Sequence, residues 1–414
     1  MDDLPKTLHE IPYRRLFPWV RLFRGIGVAS DPKKLMLAAL GLVLLHVGWA
    51  GLDWLFAASS RVTPAVLPSR RWPALAHWAD EVGVADRGVD PEWLARRLGG
   101  AAWRLTEPAR YLVGPFLEIF SVERDGTTFP HALLAGVWGV VVWGLIGGAI
   151  ARIAMVQAAL SERVGMAAAL RFAGRKWLPL IVAPLSPLVA VTVFAASCAA
   201  FGLLYRLPTA LGPIVAGLFA FLPLLAGLVM ALILILLAVG WPLMHATIAA
   251  EAEDGFDAVS RSFAYVHQRP GHYAAYVALA WAVGTIGLAF VEVFAGLVLH
   301  LTQWAVSFGA PRGLLSGLIR YDLPSTVVPL ARDLHAFWLS VVRLLVHGWA
   351  YSYFWASAAV IYLLLRHDVD GTPWQTVALV GREAPAPAPP KVAPPPSPST
   401  EGGTTAEEAS AATS

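Results

Sequence analysis

The chain has 414 residues, of which 57% are hydrophobic and 14% charged, with a formal net charge of +3. Average soluble chains are roughly 45–50% apolar and about 25% charged, and a mean hydropathy of +0.60 is more than a soluble fold of this size can hide. The composition excludes an ordinary cytosolic enzyme, a disordered protein and a small disulfide scaffold, and implies an all-α, polytopic helical membrane bundle.

Residues 1–34 read as a basic, aromatic lead-in. Arg14, Arg15, Arg21 and Arg24 alternate with Tyr13, Phe17, Trp19 and Phe23. That mixture suits the bilayer interface, where rings lie at head-group level and Arg reaches phosphate. Pro12 and Pro18 argue against one smooth helix. Ser30 or Asp31 can cap the next helix, with Pro32 in its first turn.

A span needs roughly 20 apolar residues. The first runs over Leu35–Phe56 within a segment 35–58; no A-x-A-like cleavage site follows it, so it reads as retained. Residues 59–130 form the largest polar segment, with helical apolar spacing in EWLARRLGGAAWRL and YLVGPFLEIF. The second stretch is too short to cross and reads as an interfacial or membrane-facing helix. A five-span helical domain follows over 131–383. Its spans are placed at Ala132–Ala154, Leu178–Tyr205, Ala216–Leu243, Tyr273–His300 and Ala336–Leu365.

Within these, Gly144 and Gly148 form a GxxxG pair, suited to close packing in the bundle or to self-association. Pro179, Pro184 and Pro187 predict a kinked or broken start to the third span. The apolar stretch 211–250 is too long for one upright helix, and reads most simply as one long span with helical extensions. Cys198, the single cysteine, reads as a small buried thiol. His46 and His245 read as packing residues. From residue 384 to the end the chain is Pro, Ala, Ser, Thr and Glu without an aromatic residue, a composition that implies a disordered tail.

Two amphipathic connectors, 158–177 and 251–272, separate spans. Their echo, AAALRFA and AVSRSFA, hints at a tandem duplication. Lys and Arg cluster in the lead-in and the connectors, so the positive-inside rule places both termini and both connectors in the cytoplasm. A bacterial inner-membrane location follows, with anionic lipid head groups as partners and a membrane-protein partner as a further possibility. The Arg residues form no long run, and no nucleic acid is implied.

Two groups of polar residues carry the functional interest. Ionisable side chains inside spans are functional suspects, which singles out Asp53, Glu292, Arg343 and His347 as an intramembrane polar site. Glu292 and Arg343 fall at similar depth, so a pair is geometrically possible; the four residues read either as a structural ion pair with Asp53 at the interface or as a polar cavity or solute path. In the second connector, Glu251, Asp254, Asp257, Ser260 and Arg261 form a motif. Asp254 reads as an N-cap, Asp257 and Arg261 as an i, i+4 pair, and Phe256, Val259, Phe263 and Val266 as one apolar face. The acids are alternatively a divalent-metal site for phosphoryl chemistry. Structural roles are favoured, with no metal and no cofactor.

Pro242, Glu251, Ala258, Ser260, Phe263, Arg269 and Pro270 form a pattern that resembles a broad group of bacterial multi-pass proteins. This group includes the YciC-like proteins and the membrane domain attached to some glycerophosphodiester phosphodiesterases. The resemblance spans roughly 132–370 and implies a helical membrane bundle. No phosphodiesterase catalytic domain accompanies it. No GxGxxG, Walker, HExxH, GxSxG or kinase motif is present. The leading expectation is a non-catalytic membrane component that scaffolds an envelope complex or organises lipid. The alternatives are a transporter or permease subunit using Glu292 and Arg343, and a membrane enzyme acting on lipid phosphates.

Overall fold

A computed structural model describes residues 18–57, 91–120, 128–207, 211–310 and 329–378, which are mostly helical with no strand among them. The readings of residues 1–17, of all of 59–90 and of the tail from 384 lie outside them. A 3₁₀ turn over Pro18–Phe23 leads into α1 (Arg24–Ala29) and α2 (Pro32–Ala57). α3 (Pro91–Leu105) and α4 (Glu107–Ile119) come from the polar segment. α5 (Thr128–Leu160), α6 (Met166–Arg175) and α7 (Trp177–Gly202) follow. The remaining elements are α8 (Leu211–Leu218), α9 (Phe221–Glu251), α10 (Gly255–Gln268), α11 (Pro270–Val306) and α12 (Pro329–Asp370). Six helices, α2, α5, α7, α9, α11 and α12, are long and apolar enough to cross a membrane. This is the architecture of a multi-pass helical bundle.

α5 and α12 form its centre. α5 packs on α2, α4, α7, α9 and α12. Trp143, Tyr351 and Trp355 are almost wholly buried between them, and Trp143 stacks on Tyr351 at 4.7 Å. The Gly144/Gly148 face is covered from within the chain, since a Cβ on Gly148 would meet the Leu180 side chain of α7 and one on Gly144 would meet Ile181. The packing alternative therefore accounts for the pair.

Start signals act as physical chemistry requires. Asp31 Oδ1 accepts the Lys33 N–H at 3.0 Å ahead of Pro32, capping α2. Lys34 departs from the lipid-facing reading of the lead-in: it is buried, with Nζ donating to Gln157 Oε1 at 2.6 Å. α7 runs unbroken through Pro184 and Pro187, so its start is not broken. The 211–250 stretch resolves into short α8 and long α9, with one span. The end of α9 from Leu243 to Ala250 is buried, while its first half projects Leu224 at 74% exposure.

The polar segment contributes two helices that pack against the spans. α4, read from sequence as interfacial or membrane-facing, packs on α5, burying Pro108, Leu112, Pro115 and Phe116. Phe116 reaches Gly136 of α5 and lies 6.1 Å from the Trp241 ring of α9. α3 packs along α11, where Leu105 and Tyr353 close on Gly284 so tightly that a Cβ there would clash with both. The α3–α4 corner is thus wedged among the spans. Tyr353 lies about 25 Å along α12 from its Asp370 end at 1.5 Å per residue. Polar backbone at such depth is tolerated where protein surrounds it.

Candidate functional site

The hairpin of α3 and α4 forms because each helix has its own start signals and one apolar face. Glu92 in the first turn of α3 and Glu107 in that of α4 match the positive helix ends. Pro108 suits a first turn, where no intrahelical N–H bond is needed. Thr106, the joint, turns its hydroxyl back to Trp103 O at 2.7 Å. Ala101 and Leu105 face the bundle, while Trp103 is 64% exposed.

Between this hairpin and α2, α11 and α12 lies a cavity of about 640 Å³. Its walls carry Arg104, Glu107, Arg110, Glu118, Glu292, Arg343 and His347, alongside apolar side chains such as Trp49, Leu288 and Val346. Glu292 is 1% exposed. Arg104 Nε donates to its Oε1 and Arg104 Nη2 to its Oε2, each at 2.5 Å, the bidentate geometry that makes Arg–carboxylate pairs strong. His347 Nδ1 lies 3.3 Å from Glu107 Oε2. Arg110 stacks over Trp103 at 4.0 Å and donates to Trp103 O at 3.2 Å. Charges of both signs thus share a pocket whose remaining wall is mostly apolar.

Three of the four intramembrane residues singled out from sequence, Glu292, Arg343 and His347, line this one cavity. The pair considered from sequence is corrected: both oxygens of Glu292 go to Arg104 rather than to Arg343. Asp53 is not among the lining residues; its Oδ1 lies 3.0 Å from His131 Nε2 at the start of α5. Arg104, Glu107 and Arg110 were missed because their segment reads as polar and outward. Their spacing of three around Thr106, flanked by buried apolar positions, was the available signal.

The connector motif is divided. Glu251 ends α9 and accepts hydrogen bonds from Arg261 and from Tyr362 OH, the latter at 2.5 Å. Arg366 Nε lies 3.3 Å from the same carboxylate. Arg261 also reaches Glu253 at 2.7 Å. Arg261 therefore pairs with Glu251 and Glu253, not with Asp257. Asp254, Asp257 and Ser260 are exposed. Asp254 holds the N-cap position of α10 without a side-chain cap bond. The buried face of α10 is Gly255, Ala258, Ser262 and Tyr265, and Phe256, assigned to the apolar face from sequence, is 70% exposed.

Further bonds tie this end together. Tyr276 OH donates to Asp368 Oδ2 at 2.6 Å, and Tyr265 OH donates to Asp370. Arg152, missed from sequence, donates to the carbonyls of Ala249 and Ala378, each at 2.6 Å. Burial and the neighbouring Glu251 raise the Glu253 carboxyl above its ordinary value, outweighing Arg261. Burial lowers Arg261, but Glu251 and Glu253 outweigh it and the net shift is upward. Burial and Asp370 raise the Tyr265 phenol. Glu251, Glu253, Asp368 and Asp370 are spent in cross-links between helix ends, while Asp254 and Asp257 face outward.

Histidines 46 and 245 sit in packed surroundings. His46 Nδ1 is 2.8 Å from Leu42 O, and His245 Nδ1 is 3.4 Å from Trp241 O. Searches against protein-family models, curated proteins and solved structures find no match to the chain.

Proposed function

We propose that this is a multi-pass protein of the bacterial inner membrane that takes up a charged small molecule or head group in the cavity beside Glu292. In this reading it is a permease-type or lipid-handling component, with both termini cytoplasmic and the cavity opening outward. The observation that carries the proposal is one pocket of about 640 Å³ holding Arg104, Glu107, Glu292, Arg343 and His347 among apolar spans. Ligand pockets typically measure about 300–1,000 Å³, with a few polar groups on mostly apolar walls. Ionisable groups at membrane depth are costly unless paired, and are most often found on substrate paths. The mixture of cations and carboxylates favours a zwitterionic or anionic ligand. From the YciC-like resemblance the proposal takes only the helical bundle, and it assigns no reaction.

The scaffold reading stands second. It is favoured by the apolar flank of α8 and early α9, where Leu218 and Leu224 are 71% and 74% exposed, a surface that either lipid or a partner span could cover.

The test is thermal-shift titration of the purified chain with glycerophosphoethanolamine, betaine and inorganic phosphate. The proposal expects a saturable upward shift with at least one of them, reduced about tenfold in apparent affinity by Arg343→Gln. No shift with any probe, together with normal folding, would overturn it.

A further inference from the structure

Thr106 and Ala109 of the hairpin corner line two cavities. One is the charged cavity; the other, of about 210 Å³, is bounded by Pro242, Val277, Trp281, Phe354 and Ile361 among others. The second has hydroxyl and indole groups on its wall, but each is already bonded within the protein. Tyr353 OH donates to Ala280 O at 2.7 Å, Tyr273 OH to Val239 O at 2.8 Å and Ser357 Oγ to Phe354 O at 2.9 Å. Trp281 Nε1 donates to Ala102 O at 3.3 Å, and the Thr106 hydroxyl to Trp103 O. With its donors occupied, this pocket offers a guest little beyond hydrocarbon contact. Val277 and Trp281 at its rim are 38% and 47% exposed on the apolar flank of α11, so it is reached from the lipid side.

We infer that the two cavities together bind one membrane phospholipid. Its phosphate-bearing head group lies among Arg104, Arg110 and Arg343 with the carboxylates close by, and one acyl chain passes the Thr106–Ala109 corner into the apolar pocket. The inference rests on the ligand-binding reading above and names its ligand class. An acyl chain leaving the bilayer for this pocket exchanges hydrocarbon for hydrocarbon, so the chain gains little from water exclusion. Recognition rests on the head group, and the pocket fixes where the chain goes. A head group of mixed charge suits a cavity with cations and carboxylates interspersed.

The experiment is native mass spectrometry of the full chain released from micelles doped with 1-palmitoyl-2-oleoyl-phosphatidylethanolamine, with glycerophosphoethanolamine as competitor. The wild type is expected to retain one lipid, which an excess of the soluble head group displaces only in part because the micelle holds the lipid at high local concentration. Arg343→Gln on the polar side and Val277→Trp at the apolar rim should each lower occupancy at least fivefold. Val277 is partly exposed, so the larger ring does not disturb the core; Ala358→Leu, which fills the same pocket, is the second variant. If the soluble head group binds as well as the lipid and both pocket-filling variants are neutral, the phospholipid inference fails while the cavity reading stands. If lipid retention responds to pocket filling but not to Arg343→Gln, the lipid is an ordinary boundary lipid and the inference fails. If neither molecule binds, both readings fail.

Discussion

Removing either partner of the Arg104–Glu292 pair should have unequal consequences. The Glu292 side chain is 1% exposed and that of Arg104 30%. Breaking a buried ion pair by deleting one partner costs about 3–5 kcal/mol, because the survivor is left uncompensated. Arg104→Met leaves the nearly buried Glu292 carboxylate without its bidentate partner, and should cost about 4 kcal/mol. Glu292→Gln leaves a guanidinium that can swing into the adjoining cavity, so a cost of about 2 kcal/mol is expected. The double variant Arg104→Met/Glu292→Gln should be less destabilised than the sum, with a coupling of about 2 kcal/mol. Reversible unfolding in detergent, read by tryptophan fluorescence, gives the cycle. Hydrogen exchange within α3 gives the local signature, since this pair ties α3 to α11. Equal single costs that add in the double variant, with α3 protection unchanged, would refute a buried, hairpin-holding pair.

Gly284→Ala places a Cβ against Leu105 and Tyr353, and overpacking of this kind costs about 1–3 kcal/mol; faster exchange in α3 and α4 should accompany the lower melting temperature. Glu251→Gln removes the carboxylate charge and one of the two acceptor oxygens shared by Arg261, Arg366 and Tyr362 and should cost about 3 kcal/mol, whereas Asp257→Asn on the exposed face should be neutral in the same melt. Glu253 has a raised carboxyl, so the folded state holds its proton more tightly than the unfolded chain. Stability from this group is therefore greatest below the ordinary carboxylate range and falls as pH rises toward the raised value. Glu253→Gln should flatten that fall and leave stability at pH 7 unchanged or higher by under about 1 kcal/mol, as pH-dependent melting will show.

The apolar runs were legible because length and hydropathy alone mark a span, and the cap at Asp31 with Pro32 was legible as local chemistry. The hairpin was only half legible. Its two helices show in the spacing of EWLARRLGGAAWRL and YLVGPFLEIF, but their insertion depends on Gly136 and Gly284 opening space on helices far away in sequence. The same non-locality explains the partner errors. Glu292 and Arg343 lie at similar depth in neighbouring spans, yet Arg104 delivers a bidentate fork from a third element. Arg261 has Asp257 one turn away, but Asp257 points to solvent while the α9 terminus presents Glu251 and Glu253. Of the apolar face read on α10, Val259, Phe263 and Val266 pack against the core and Phe256 is exposed; the small residues Gly255 and Ala258, which the spacing did not single out, make the closest approach.

A polar cavity lies beside the wedged hairpin and shares the Thr106–Ala109 corner with an apolar pocket. Thiol reactivity of single-cysteine variants in a Cys198→Ser background, reconstituted in lipid vesicles, tests it most directly. His347→Cys, on the polar cavity wall, should react with a charged, membrane-impermeant methanethiosulfonate, while Ser357→Cys, on the apolar wall, should react only with a lipid-soluble maleimide. A His347→Cys thiol closed to the charged reagent from both sides, or a Ser357→Cys thiol open to it, would contradict the account.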